Sequence, residues 1–451
     1  MKLFQTLARP FVSFVERYYP DAFIFVIVLS LITFLSALFL TDSTVTSTLL
    51  AWGNGLPMLL KFTAQITIIM VGAHALAHTN PVQKFLTRIG QLPNSANQAY
   101  SLVAFTSGIA SLCAWSFGLV IGAIVARSVA SECAKKSFKI HYPLLVASAY
   151  SGFVIWHMGY SSSAALFVAT PGHLLEHRVG IIPVTETILS STNIVMALMA
   201  LAIITIICPL MRPKDKDIIE FTPNTIDNID NSALDNQSEL TLIEKFENHR
   251  ALNIFLGFAL VSYIVVTYTQ NGFSLNLNIV SWTFLAFGLI LAASPMHFIK
   301  LINNAAATVG PIILQYPFYS GIMGMMATTG LMKVITDWII SISTPETLGF
   351  FAFLSGGLVN MFIPSGGGQW AVQGPIMIEA ALSLNVNPSV VVLGVAYGDQ
   401  WSNMIQPFWT IPILAIAGLH MRQILGYTFV IFIMTGFLYG GGMLYMGSGN
   451  I

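Results

Sequence analysis

Residues 364–370 read Pro364, Ser365, Gly366, Gly367, Gly368, Gln369 and Trp370, inside a long apolar region. A proline followed by a serine and three glycines does not continue a lipid-facing helix. Apolar segments flank the break on both sides, which argues against a turn in a surface loop. Non-helical backbone at membrane depth is tolerated only where protein buries it or where it lines a wet cavity. Carriers use such breaks to aim helix ends at a ligand. This heptad therefore fixes where irregular, polar backbone must be accommodated inside an otherwise apolar fold.

The rest of the chain fits that setting. Of its 451 residues 55% are hydrophobic and only 8% charged, against about 25% charged in a soluble domain. The chain reads as an all-α polytopic membrane protein. Nineteen Lys and Arg balance 19 Asp and Glu, so no net field recruits nucleic acid. Cys113, Cys133 and Cys208 show no metal or CxxC spacing and read as free thiols. Residues 1–20 place Lys2, Arg9, Glu16 and Arg17 among aromatics. They predict an interfacial N-terminal helix rather than a cleaved signal.

Spans need about 17–25 apolar residues. Runs near 21–40, 57–78, 142–170, 188–211, 251–268, 278–293, 303–328, 388–418 and 423–446 predict about nine transmembrane helices. Those at 142–170 and 388–418 are interrupted and predict broken helices. Segments 97–133 and 346–384 are broken centrally and predict re-entrant hairpins, with tips at 115–118 and 364–368. With a cytoplasmic N-terminus, all but Lys61, Arg178 and Lys333 of the 19 Lys and Arg fall on the inner side, as the positive-inside rule requires. Residues 212–250 are largely polar and predict a flexible cytoplasmic linker. The linker separates a first membrane repeat, 21–211, from a second, 251–451. Gln65 and Gln315 lie 250 residues apart, Gly118 and Gly366 248, and Tyr150 and Tyr397 247. The assumed topology runs 57–78 inward and 303–328 outward, so the repeats are expected to be inverted, an arrangement that supports alternating access.

Four irregular spots then pair by symmetry: the two hairpin tips, the break carrying Trp156 to Ser163, and the break running from Gly398 to Trp409. None contains Lys or Arg. A half-helix N-terminus carries partial positive charge and free N–H donors, so it can hold a carboxylate without a cation. The candidate binding residues are Ser116 and Gly118 at the first tip, and Ser161, Ser162 and Ser163 in the first break. Ser365, Gly366, Gly367, Gln369 and Trp370 stand at the second tip, and Trp401, Asn403, Gln406 and Trp409 in the second break. At the second tip, glycine would allow positive φ or close backbone approach to an anion. Asp399 and His157 are ionisable groups inside the span, which makes them functional by default; they are the candidate coupling-ion residues. The plainer readings are an Asp399 that caps the following half-helix and a His157 hydrogen-bonded within the bundle. His74 and His78 share a face but lack a local carboxylate, so no metal site is expected. The Ser161, His157 and Asp399 set does not resemble a nucleophile elbow, and no enzyme activity is expected. No cofactor is expected beyond H+ or Na+ as a coupling ion. The partners are a small organic anion and the lipid bilayer, with a homodimer left open.

At these residues the chain resembles the short-chain fatty acid transporter family, the AtoE type. The likeness runs through 21–40, 115–122, 169–172, 364–368 with Gln373, Gly374 and Pro375, and 396–409. It implies a bacterial inner-membrane carrier of monocarboxylates such as butyrate or acetoacetate, and kinship with ion transporters built from two inverted halves. Departures fall at His157 and Met158, where family members are more glycine-rich. They fall also at Gln369, often His, and at Asp399, often Glu; they bear on the preferred substrate. A dicarboxylate carrier is the rival reading, and doubly charged substrates usually want an Arg clamp. An intramembrane enzyme or a passive channel is more remote.

Overall fold

The structure is a computed structural model. It describes residues 22–136, 138–221, 241–306, 309–361, 363–406 and 408–449. Among them every regular element is helical. The expected interfacial helix at 1–20 lies outside the described residues.

The first half opens with α1 (Ala22–Leu40), α2 (Val45–Gly55), α3 (Leu60–Ala77) and the amphipathic α4 (Asn80–Gly90). Then come α5 (Ala96–Cys113), α6 (Trp115–Lys135), α7 (Tyr142–Ser151), a 3-10 turn (Gly152–Met158), α8 (Ser163–Ala169), the short α9 (Glu176–Val179) and α10 (Ser191–Leu210). Next come α11 (Leu242–Glu247), α12 (Arg250–Asn271), α13 (Leu277–Leu291), α14 (Pro295–Ala306), α15 (Gly310–Thr329) and α16 (Leu331–Ile342). The chain closes with α17 (Leu348–Asn360), α18 (Gly366–Ser383), α19 (Pro388–Ser402), α20 (Thr410–Ala417) and α21 (Met421–Gly447).

Among the described residues, length and composition suit five stretches to crossing a bilayer: α3, α6, α10, α11 with α12, and α21. The bent pair α15 and α16 makes a sixth if taken as one span, with an 82° turn between them. Gly330 sits at that turn with φ +83°, a left-handed conformation that glycine adopts without penalty. Other apolar runs fold into shorter pieces. α13 has 15 residues and α17 has 13. At 1.5 Å per residue these are roughly 20 Å long, less than the ~30 Å hydrocarbon core.

The two halves list their helices in the same order. α2 and α14, α3 and α15, and α4 and α16 start 250, 250 and 251 residues apart. Packing is reciprocal. α1 and α2 lie against α15, while α13 and α14 lie against α3. α6 packs on α20, and α18 packs on α8. The α2–α15 contact is a backbone approach: a Cβ on Gly55 would fall 2.8 Å from the Ser320 carbonyl and 3.0 Å from Gly324 Cα. Ser320 Oγ donates to the Gly55 carbonyl at 2.6 Å. Small residues at helix crossings permit this closeness where lipid offers no hydrophobic drive.

Each segment expected as a hairpin holds two helices meeting at a break, α5 with α6 and α17 with α18. α5 runs into α6 through a single extended residue, Ala114 (φ −158°, ψ 140°). The first tip is therefore at 114, and Gly118 lies a turn inside α6. There its missing side chain makes room for α5, since a Cβ would fall 2.8 Å from Ser111 Cα. The arms of the second hairpin are joined by Gln369 Nε2, which donates to the Gly356 carbonyl at 2.8 Å. Within the segment read as a linker, residues 212–221 and 241–250 are described. Ile219 N–H donates to His141 Nδ1 at 3.0 Å and its carbonyl accepts from Tyr142 N–H at 2.8 Å. Thr241 and Glu244 form a capping box on α11.

Candidate functional site

α18 begins immediately after the second break. Ser365 is its N-cap, in extended conformation, and its Oγ accepts from Gly368 N–H at 3.4 Å. Tyr316 Oη on α15 stands 2.8 Å from the same Oγ. Gly366, Gly367 and Gly368 form the first turn, so the positive end of the helix is built from bare backbone. None of the three has positive φ. They are glycines because neighbours crowd them. A Cβ on Gly366 would lie 2.5 Å from His157 Nε2, 2.6 Å from Trp156 Cη2 and 3.0 Å from Asp399 Oδ2. One on Gly367 would lie 2.5 Å from Phe62 Cε1 and 2.8 Å from Tyr316 Oη. Of the two reasons for glycine read from sequence, positive φ is not used here; the crowding comes from side chains of the protein itself.

Asp399 and His157 meet at this turn, Oδ2 to Nε2 at 3.9 Å, each 1% exposed. Among the described residues, neither His157 ring nitrogen has a hydrogen-bond partner, and neither does Asp399 Oδ2. Buried polar atoms are nearly always paired. Two of these unpaired atoms, His157 Nε2 and Asp399 Oδ2, border the first turn of α18, and such a spot is suited to meet a ligand. Asp399 lies in the last turn of α19, which runs on to Ser402. It caps no following helix; its other oxygen accepts weakly from Asn403 Nδ2 at 3.4 Å. His157 is likewise unbonded at its ring, although its backbone N–H donates to Gln400 Oε1 at 2.9 Å.

Hydrogen bonds tie residues 399–406 of the second break to neighbouring elements. Asn360, at the end of α17, donates from Nδ2 to the Asp399 carbonyl at 3.0 Å, Ser402 Oγ at 2.9 Å and Asn403 Oδ1 at 2.8 Å. Tyr150 Oη donates to the Asn403 carbonyl at 2.7 Å. Gln406 Nε2 donates to the Asn360 carbonyl at 3.1 Å. In the first break Ser161 Oγ accepts from Trp115 N–H at 3.0 Å, so it satisfies the start of α6 from another element. Ser162 and Ser116 are buried with hydroxyls that find no partner among the described residues, and Ser163 is buried at the start of α8.

The sequence-predicted residues thus divide. Ser365, Gly366, Gly367, Asn403, Asp399 and His157 come together. Gln369 is buried and uses its Nε2 on Gly356 and Gln373. Trp370 is fully buried one turn beyond Gly366. Trp409 lies edge-on to Trp115 at 4.9 Å and near Phe153 at 5.9 Å. Trp401 turns away: its ring stacks on Phe432 at 4.1 Å and its Nε1 donates to the Phe432 carbonyl at 2.7 Å. Trp156, Tyr316, Phe62, Asn360, Gln400 and Tyr150 were missed as site residues. For Asn360 and Trp156 a signal existed, since one is a lone amide in an apolar run and the other is the first residue of the break.

Comparison with known proteins decides the family. The family model described as "Short chain fatty acid transporter" matches residues 3–446. The chain belongs to the short-chain fatty acid transporter family. Relatives from Escherichia coli (strain K12) and Haemophilus influenzae, each named "Putative short-chain fatty acid transporter", are 37% and 36% identical. The alignments cover 96% and 98% of this chain, and 98% and 99% of those relatives. A solved structure, the YdaH transporter of Alcanivorax borkumensis, is similar in fold, with a TM-score of 0.59 at 12% identity. That match covers 94% of this chain and 98% of the other. The family setting makes this a multi-pass membrane transporter of small molecules, and the unpaired cluster at α18 lies at its hairpin break.

Proposed function

We propose that this chain is a secondary active carrier of short-chain monocarboxylates, such as butyrate or acetoacetate, in a bacterial inner membrane. Its N-terminus lies in the cytoplasm, and its two halves, 21–211 and 251–451, are inverted repeats joined by the linker 212–250. It moves its substrate without chemical change. One observation carries the reading: the N-terminus of α18 meets the unpaired Asp399 and His157 in a buried spot where none of the four breaks supplies a lysine or arginine. A singly charged carboxylate can be held there by first-turn amides, Ser365 Oγ and Asn403. A second carboxylate would find no guanidinium. The alkyl tail fits against Trp156, whose ring borders Gly366, in place of Trp401.

Asp399 then supplies coupling. Its charge opposes an anionic substrate until a proton or sodium ion neutralises it, so ion and substrate bind together more favourably than either alone. Counterflow of labelled butyrate in proteoliposomes, with and without sodium and at several pH values, tests this. The expected result is exchange with unlabelled butyrate but not with succinate, and accumulation driven by one of the two ion gradients. Equal exchange with succinate would replace the monocarboxylate reading by the dicarboxylate one, and conversion of label to a new compound would replace transport by catalysis.

A further inference from the structure

Next to the hairpin tip, on the far side of Phe62, the surface opens into a cleft of about 100 Å³. That is room for several water molecules. Lys61, Phe62, Phe167, Thr170, His173 and Leu277 line it. Lys61 is exposed at its mouth and joins no ion pair among the described residues. A Cβ on Gly172 would lie 3.5 Å from Lys61 Nζ, so the ammonium leans over the loop that forms the opposite lip. His173 adds no charge there. Its Nδ1 accepts from Leu175 N–H at 3.2 Å and its Nε2 faces the Gly180 carbonyl at 2.9 Å, a pattern that needs the neutral ring. Glu176 is the nearest acid on that lip, and its Oε2 is engaged by Gly172 N–H at 2.5 Å.

The floor of the cleft is Phe62. The ring is 4% exposed, lies edge-on to Phe167 at 5.1 Å and is stacked on Tyr316 at 6.0 Å. Its other side meets the first turn of α18, where a Cβ on Gly367 would touch it. Tyr316 in turn holds Ser365. Phe62 and the first turn of α18 therefore lie between a lysine-lipped, water-sized cleft and the cluster at Asp399 and His157, which borders the neighbouring Gly366.

We propose that this cleft is a vestibule in which Lys61 gathers a small carboxylate, and that Phe62 is the gate through which the carboxylate passes to the tip of α18. The substrate class rests on the carrier reading above. With the N-terminus of the chain inside, the vestibule faces outward. A cation beside a low-dielectric cleft concentrates anions and raises their rate of arrival by ten- to a thousandfold, and salt removes the effect.

The test is chosen to stand apart from transport. In the full-length chain with Cys113→Ser, a Leu174→Cys variant places a thiol on the cleft lining. Its rates with a sulfonate-bearing and a trimethylammonium-bearing thiosulfonate reagent are compared in detergent at low salt. The sulfonate reagent should lead by roughly tenfold. The lead should vanish in Lys61→Gln, persist in Lys61→Arg, widen in Glu176→Gln and collapse in 0.5 M salt. A preference indifferent to Lys61→Gln would overturn the vestibule. A Ser365→Cys thiol should react slowly, and at least tenfold faster when combined with Phe62→Ala; equal rates would overturn the gate. In proteoliposomes, Lys61→Gln should raise KM for butyrate several-fold at unchanged kcat. If wild type carries no butyrate while the labelling pattern holds, the carrier reading fails and the anion cleft stands. If wild type carries butyrate and the pattern is absent, this inference alone fails.

Discussion

Replacing Asp399 by asparagine separates charge from shape. The carboxylate is 1% exposed, its Oδ2 is unbonded, and its closest ionisable neighbour is His157 Nε2 at 3.9 Å. A Cβ on Gly366 would stand 3.0 Å from that oxygen. A substrate carboxylate on the first-turn amides of α18 would thus sit about 4 Å from Asp399. Two like unit charges at about 4 Å repel by roughly 4 kcal/mol at an effective dielectric of about 20. That is close to a thousandfold in affinity. On the coupling proposed above, the penalty is lifted in the wild type when a proton or sodium ion neutralises Asp399. In Asp399→Asn it is absent throughout. Butyrate affinity in the variant should therefore rise, by up to three orders of magnitude, under conditions that leave wild-type Asp399 charged and ion-free. For proton coupling these are high pH, so wild-type affinity should fall as pH rises and the variant's should stay level. Exchange of labelled for unlabelled butyrate should persist in the variant and uphill accumulation should be lost. Binding by calorimetry and uptake by vesicles under an imposed gradient measure the two halves of this expectation. Accumulation equal to wild type, with the same ion dependence, would refute the coupling argument.

Gly366→Val should abolish uptake with the protein still in the membrane. Its added carbons meet Trp156 and His157 at 2.6 and 2.5 Å, and overpacking costs about 1–3 kcal/mol; near-normal uptake at normal expression would count against a working tip. Asn403→Ala and Ser365→Ala should each raise apparent KM by roughly 10- to 150-fold, the value of about 1.5–3 kcal/mol for a donor to a charged oxygen. Unchanged KM in both would reject the site. Lys136→Cys and Lys333→Cys should label from opposite sides of the membrane with an impermeant reagent, the first inside and the second outside, and equal labelling in intact cells would sink the inverted layout.

The breaks were legible because backbone chemistry announces them. Proline and three glycines at 364–368 end one helix and start the next, and the structure starts α18 at Gly366. The first tip was read at 115–118, one to four residues past Ala114, because Gly118 is a packing glycine and Ala114 carries no turn signature. Side-chain direction was the harder part. Residues 398–409 read as irregular, so no face could be assigned. α19 in fact runs to Ser402. At 3.6 residues per turn, Asn403 returns to the face of Asp399 while Trp401 points roughly opposite. Phe62 and Tyr316 were invisible for a different reason. Each looks like ordinary apolar packing on a long helix, and only the tertiary approach of α3 and α15 to Gly367 gives them a place.

The exchange of partners between α1–α2 and α13–α14 has a consequence for biosynthesis. Val45 opens a helix whose partner begins at Gly310, and its close-packed glycine face has nothing to meet until that later stretch emerges. At about 5–20 residues per second the delay is roughly 15–55 s. During that interval the nascent first half must shelter its small-residue seams in lipid or beside the insertion machinery. A ribosome stalled in the linker would release a fragment with unmatched seams and no native partner, and two separately expressed halves should rescue one another.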